Sequence, residues 1–258
     1  MTDKGAHFYR CDFQVHSPRD LNWNGSPCNS DQEKLAYAET LIQACRLKGL
    51  QAIAISDHHD MNFVRWVRRA ASDETDSESK SLPKPQQLVV FPAMELTLAV
   101  PCQALLIFDA DFPEDLFALA ATALTIVPSS SSDSKIAAIQ RLNIQSLQVL
   151  KEELDKHTYL RGRYIVFPHV GESGQFSLLR KGQSQKYIEM PWVGGYVDGD
   201  LSGLGTGNQG IVSGKNKEWG SKRIACFQTS DSRSADHRDL ARSSTWVKWA
   251  LPTAEALR

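Results

Sequence analysis

Five short apolar stretches, spread over most of the sequence, each run into a side chain that can ligate a metal. His16 follows the alternating segment 8–15, His58 the run 52–55 and Glu95 the run 88–91. His169 follows the run 164–167, and Asp231 the run 223–227. Helical patterns lie between them. Ser30 and Glu33 form a capping box ahead of Leu35, Ala38, Leu41, Ile42 and Cys45, and Gly49 stands where that helix should stop. Residues 61–71, 115–124 and 144–157 read as further helices. Short buried strands alternating with helices predict an α/β architecture with mainly parallel strands. In a parallel barrel all C-terminal strand ends share one face, so ligands far apart in sequence become neighbours in space.

A lone histidine at a strand end is more often a packing residue than a ligand, and Asp231 alone could serve an Asx-turn. Five such residues, each just past a buried strand, point to a shared metal or phosphate site. Imidazole and carboxylate together suit zinc, manganese or iron. Two or three such ions would polarise a phosphoryl oxygen and activate water. Nearby, Arg19 is a candidate to hold a phosphate and Asp20 to join a metal; a surface ion pair is the plain alternative.

The rest of the chain narrows the field. Its 258 residues suffice for one large α/β domain, taken here as a single domain over 1–258. The formal net charge of -1 gives no sign of a nucleic-acid coat or a membrane-surface partner. No apolar run approaches the ~18 residues of a membrane span. Residues 1–10 are polar and carry no apolar signal segment. The five cysteines are scattered and never form a C-x-x-C pair, so reduced thiols and a cytoplasmic setting are expected. Residues 72–85 and the serine-rich 129–134 read as surface loops, the first a mobile one. Residues 194–220 are dense in glycine but lack a visible preceding strand and following helix, which predicts an insertion at the site mouth rather than a phosphate-cradling loop. Residues 252–258 read as the start of a helix, which suggests the N-terminal fragment of a longer protein; a frayed tail is the alternative.

The ordered motifs resemble the PHP (polymerase and histidinol phosphatase) family. Cys11-Asp12-Phe13-Gln14-Val15-His16-Ser17 resembles its first motif, and Ile55-Ser56-Asp57-His58-His59 its second. Phe91-Pro92-Ala93-Met94-Glu95 resembles the glutamate motif, and Phe167-Pro168-His169 a later histidine motif. Thr229-Ser230-Asp231-Ser232-Arg233 sits where the terminal aspartate-x-histidine motif belongs. His16-Ser17-Pro18-Arg19-Asp20, with Trp23, and Ser244-Thr245-Trp246-Val247-Lys248 are similar to the branch fused to ATPase domains of the structural-maintenance or ABC type.

The resemblance implies a distorted β/α barrel of about seven strands and a metal-dependent phosphoesterase acting on nucleic acid or a nucleotide. It also implies a fused or associated ATPase partner. The implied metal ligands are Gln14, His16, Asp20, His58, Glu95, His169 and Asp231. The catalytic set is His16, His58, His169, Asp231 and Arg233, with Arg19 and Arg233 on the phosphate. Two positions depart from the family pattern. Gln14 replaces a histidine with a weak neutral donor, and Arg233 replaces one with a cation that cannot ligate a metal but can grip a phosphate. One metal position is therefore expected to be weakened or lost, with His237 as a substitute candidate. Gln103 marks another place where family members often carry histidine. His59 is expected to support His58 or face solvent, and Lys222 and Arg223 to line a nucleic-acid path or merely a strand edge.

The alternative from another class is a catalytically degenerate domain that serves as a structural or regulatory module for an ATPase. An amidohydrolase-type barrel would use similar ligands, although Arg233 fits a phosphate better. No G-x-S-x-G elbow supports a serine hydrolase.

Overall fold

Strands β1 (His7–Val15) and β2 (Ala52–Ile55) lie parallel, joined through helix α1 (Asp31–Leu47). The computed structural model describes residues 5–76, 78, 80–130, 134–136, 138–171 and 176–258. Helix α1 starts and stops where local chemistry dictates. Ser30 Oγ accepts the Glu33 amide, the Glu33 carboxylate accepts the Ser30 amide, and Gly49 takes a left-handed φ of 73° just beyond the end. Its buried stripe is Ala38, Leu41, Ile42 and Cys45. Helix α2 (Val64–Ser72) follows and begins three residues into the expected span 61–71.

Strand β3 (Val89–Thr97) is longer than the expected run 88–91 because it changes partner midway. Its first half pairs parallel with β2, and its second half pairs antiparallel with β4 (Gln103–Phe108). The segment 98–102 between them is far too short for a parallel crossover, so a reversal is the only available connection. Helices α3 (Phe117–Ala123) and α4 (Leu147–Asp155) lead to β5 (Tyr164–Pro168), which is antiparallel to β4. Helix α5 (Ser184–Glu189) precedes β6 (Gly194–Asp198). Helix α6 (Thr206–Val212) then leads to β7 (Ala225–Thr229), and β8 (Thr245–Trp249) closes the series.

The main sheet has the order β5-β4-β3-β2-β1-β8, and β6 and β7 form a separate parallel pair. The sheet curls into a half-barrel of six strands rather than the seven or so that the resemblance implies. The sheet falls short because β6 and β7 bond to each other rather than joining the ladder, even though β8 adds an antiparallel edge beside β1. Single bridges at His169–Tyr196 and Val15–Ser232 still bring that pair against both flanks. Phe13 of β1 meets Phe91 of β3 at 5.8 Å, Phe227 of β7 meets Phe13 at 5.2 Å, and Phe167 of β5 meets Phe227 at 4.4 Å. Strands that are not neighbours touch in this way only across the inside of a curl, given a strand spacing of about 4.8 Å.

The glycine-dense stretch is regular in part. It contains β6 and α6, and Gly194 and Gly195 let β6 approach β5. A Cβ on Gly194 would lie 2.6 Å from the Phe167 ring, and one on Gly195 would lie 3.0 Å from the Pro168 carbonyl. The loop after α2 is also more structured than expected. Thr75 bridges Ser81, and Glu74 takes a two-pronged grip from Arg46 at 2.6 and 2.9 Å. Part of the serine-rich loop, residues 131–133, lies outside the described residues. The expected C-terminal helix is a 3₁₀ turn, Glu255–Leu257, whose Ala254 and Leu257 are buried; the Ala254 amide donates to Asp109 at 2.8 Å. No described helix is long and apolar enough to cross a membrane.

Candidate metal centre

The end of β1 sets the geometry. Its pairing with β2 slips between Asp12 and Val15, an irregularity of the kind that re-aims side chains at strand ends. His16 emerges just past the slip, wholly buried, with its backbone amide bonded to the Ser232 carbonyl at 2.9 Å. His58 follows β2, and its bridge to Glu95 lays the second motif against the second half of β3. Glu95 therefore lies inside a strand, not after one. Asp231 follows β7 in the left-handed region at φ 48°, a conformation found mostly where structure over-determines it.

Asp20 organises both histidines. Its Oδ2 lies 3.2 Å from His16 Nδ1, 2.9 Å from His58 Nδ1 and 2.8 Å from the His58 amide. An ionised carboxylate only accepts, so both Nδ1 atoms carry a proton, and each Nε2 offers a lone pair once it has given up its own. Those atoms converge on Glu95 Oε2, at 3.3 Å from His16 and 3.4 Å from His58. Asp231 Oδ1 lies 3.2 Å from His16 Nε2. Among the described residues neither His16 Nε2 nor Asp231 Oδ1 makes a directed hydrogen bond, although both atoms are buried and Asp231 Oδ1 has the Arg233 guanidinium beside it at 2.8 Å. Orphaned polar atoms of this kind call for a partner.

The spacing suits a divalent ion. Bonds of about 2.0–2.1 Å to nitrogen and oxygen in a tetrahedron put neighbouring ligand atoms roughly 3.3 Å apart. His16 Nε2, Glu95 Oε2 and Asp231 Oδ1 are therefore the best-fitting ligand atoms for one ion, His58 Nε2 meets the same Glu95 oxygen at 3.4 Å, and Asp20 is the carboxylate that orients both histidines. Two overlapping groups have close donor atoms: His16, Asp20 and His58, and His16, Glu95 and Asp231.

The charges are strongly coupled. Burial alone would raise the Glu95 pKa, but the His16 contact and the His58 and Arg233 cations hold it at about 2. Burial likewise opposes ionisation of Asp231 and Asp20, and the surrounding cations outweigh it, holding both well below the usual carboxylate range. Asp57 goes the other way: burial, then the Asp20 charge, push it up to about 7, and it binds the Ser17 amide and hydroxyl at 2.7 and 2.6 Å. Tyr196 donates its hydroxyl to Glu95 Oε1 at 3.2 Å, fixing the second oxygen.

Arg233 enters the cluster directly. Its guanidinium lies 3.2 Å from Asp20 Oδ1, 3.2 Å from Glu95 Oε2 and 2.8 Å from Asp231 Oδ1.

The other expected site residues are placed differently. The Gln14 amide oxygen accepts the Thr229 hydroxyl at 2.7 Å, so it is engaged within the fold. Arg19 is buried; Nε binds Asp60 at 2.5 Å, and Nη2 binds Ser129 and the Ser130 carbonyl at 2.8 and 2.6 Å. Its guanidinium thus tethers a loop instead of standing open to phosphate. His169 joins neither ligand group. It lies against the Tyr196 ring at 5.1 Å, and its Nε2 is 3.3 Å from Asp198 Oδ2. Among the described residues neither ring nitrogen has a directed hydrogen bond, and His169 lines a cavity of about 460 Å³ with Asp198, Gly199, Asp200, Arg242 and Ser243. His59 is buried and accepts the Thr97 amide at 3.0 Å; burial, then His58, lower it to about 4. His237 packs on Tyr37 and Thr40 rather than substituting for a ligand. Lys222 caps carbonyls of the α5 segment.

Gln103 opens β4 at the site, with Nε2 3.4 Å from His58 Nε2. Because β4 runs antiparallel, it presents its first residue where the parallel strands present their last. The sequence pattern does not mark Tyr196 or Asp198 as site residues. Asp198 follows the same pattern as Asp231, a carboxylate at or just past a strand end, but glycines disguise its strand.

No protein-family model and no curated protein sequence matches the chain. Solved structures share its fold. The lesion-specific endonuclease PfuEndoQ from Pyrococcus furiosus gives a TM-score of 0.60 at 14% identity, covering 97% of this chain and 55% of its own. Endonuclease Q, in complex with a 27-mer duplex substrate with an abasic lesion at the active site, gives 0.56 at 12% over 97% and 55%. PsfC from Pseudomonas syringae gives 0.50 at 13% over 97% and 88%. The chain spans about half the length of the two endonuclease structures. At this identity the likeness defines a class of fold, a mixed α/β half-barrel resembling the PHP type.

Proposed function

We propose that this protein is a metal-dependent phosphoesterase of the nuclease type, acting on a nucleic-acid phosphodiester. The observation that carries the reading is that His16 Nε2 stands 3.3 Å from Glu95 Oε2 and 3.2 Å from Asp231 Oδ1, with His58 Nε2 3.4 Å from the same Glu95 oxygen, in a largely buried cluster. The shared fold supports it, since one similar structure is a lesion-specific endonuclease and another holds a duplex substrate with an abasic lesion at its active site. A divalent ion held there would polarise a phosphoryl oxygen and acidify water.

The chain's own groups have separable tasks. Asp20 holds both imidazoles in the tautomer that leaves Nε2 free, and Tyr196 fixes the Glu95 carboxylate. His169, buried beside the cavity and paired with Asp198, is assigned proton delivery to the leaving oxygen. Arg242 and Ser243 line the same cavity and suit a phosphate-bearing substrate. An ATPase partner, fused or associated, belongs to this proposal through the likeness of Ser244–Lys248 to the fused branch. A cytoplasmic setting belongs to it through the five unpaired cysteines.

The test is elemental analysis of protein purified without added metal or chelator, followed by cleavage of a duplex containing one abasic site. At least one bound zinc, manganese or iron is expected. Cleavage should be lost on chelation and fall at least 100-fold in Glu95→Gln, a loss of roughly 2.7 kcal/mol of transition-state stabilisation. No bound metal and no uptake on addition would sink the reading and favour a binding module for an ATPase.

A further inference from the structure

Arg233 and the orphaned ligand atoms use the same lone pairs. Nη2 reaches Asp231 Oδ1 at 2.8 Å and Glu95 Oε2 at 3.2 Å, the same two oxygens that lie 3.2 and 3.3 Å from His16 Nε2. Nη1 extends the grip to Asp20 at 3.2 Å. One guanidinium therefore meets three buried or largely buried carboxylates. An ion seated among His16, Glu95 and Asp231 would face that guanidinium within about 4 Å, where two cations in a poorly hydrated site repel strongly. Both would also need the same oxygen lone pairs.

We infer that Arg233 is a built-in counter-cation that competes with a divalent ion for Glu95 and Asp231, so metal enters fully only when the guanidinium leaves. The inference rests on the metal-centre reading above. The residue is equipped for both positions. Its backbone carbonyl is anchored by the Asn24 amide at 2.9 Å, while its side chain is 20% exposed at the edge of the cluster. The side chain can swing without unfolding its strand end. Arginine cannot shed its proton, so the competition cannot be relieved by titration. It can be relieved by a substrate phosphate, which offers the planar fork a two-pronged partner outside the carboxylate cluster.

Calorimetric titration of Mn²⁺ into chelator-stripped protein tests this directly, with circular dichroism to verify each fold. Arg233→Met should bind Mn²⁺ about 5- to 150-fold more tightly than wild type, the span of an ordinary coupling between sites. Arg233→Lys keeps a charge but cannot span three carboxylates, so its affinity should rise by less, in the same direction. This second variant keeps the test open if three uncompensated carboxylates prevent Arg233→Met from folding without metal. Inorganic phosphate should tighten Mn²⁺ binding to wild type and leave the Met variant unaffected. Equal affinity in wild type and the folded variants would overturn the inference while leaving the metal centre standing. No Mn²⁺ uptake by any of them would overturn the metal-centre reading itself.

Discussion

Asp20 shows how much one side chain can decide. Through Oδ2 it receives two imidazoles and a backbone amide, and through Oδ1 it meets Arg233. Removing its charge would free both histidines to change tautomer and rotate, although neither would leave the site. Asp20→Asn should therefore weaken metal binding about 10- to 100-fold, as loss of an orienting partner does, with the fold retained. An unchanged dissociation constant by calorimetry would instead make Asp20 a bystander. That His16, His58, Glu95 and Asp231 would gather in space was legible in the sequence, because each lies at or near the end of a strand as its one chemically costly residue. The placement of Gln14 and Arg19 was not. The irregular pairing in β1 separates Gln14 from the period-two relation to His16, and adjacency in sequence could not foretell that Asp60 and the 129–130 loop would take up the Arg19 guanidinium.

At the scale of elements, the least expected strand is the most tightly placed. Gly194 has no room for a side chain, because a Cβ there would lie 2.6 Å from the Phe167 ring. Gly194→Ala must push β6 away from β5 or force Phe167 off its rotamer, so a destabilisation of about 1–3 kcal/mol is expected. Urea denaturation would show it as a lower midpoint at unchanged slope. A midpoint equal to wild type would mean that β6 docks loosely. Glycine is poor in strands as a rule, which is why Gly194–Asp198 reads as loop until its neighbour is known. Strand direction was hidden for a different reason. Fully buried strands are apolar on both faces and carry no mark of parallel or antiparallel pairing. For β4 the informative quantity was the length of segment 98–102, and that became visible only once β3 extended through Glu95 to Thr97. Helix α1, by contrast, was legible to its ends, because its capping box and terminal glycine act locally.

Across the whole molecule, the candidate ligands double as fasteners. Among the described residues, backbone pairing between β6–β7 and the six-stranded sheet is confined to single bridges, and at the seam between β1 and the end of β7 two backbone bonds stand beside the Thr229–Gln14 and Ser230–Asp12 contacts. His16 donates to Ser232 at 2.9 Å, and Ser232 donates to Gln14 at 3.1 Å. His16 and Asp231 stand on opposite sides of that seam, with Glu95 and His58 on the neighbouring strands. An ion shared among them would tie the open side of the half-barrel, so metal should stabilise the fold as well as serve the chemistry. A ligand at 100 times its dissociation constant adds about 2.7 kcal/mol. For a chain of this size about 2–4 °C accompanies each kcal/mol, so Tm should rise by roughly 5–11 °C with Mn²⁺ and fall back with chelator. The location matters as much as the size. Hydrogen exchange should slow most at the His16 and Ser232 amides, while amides in the middle of α1 change only as global stability does. A Tm that ignores Mn²⁺ would mean no ion is bound at the seam. A rise in Tm without selective protection of those two amides would place the bound ion elsewhere in the molecule.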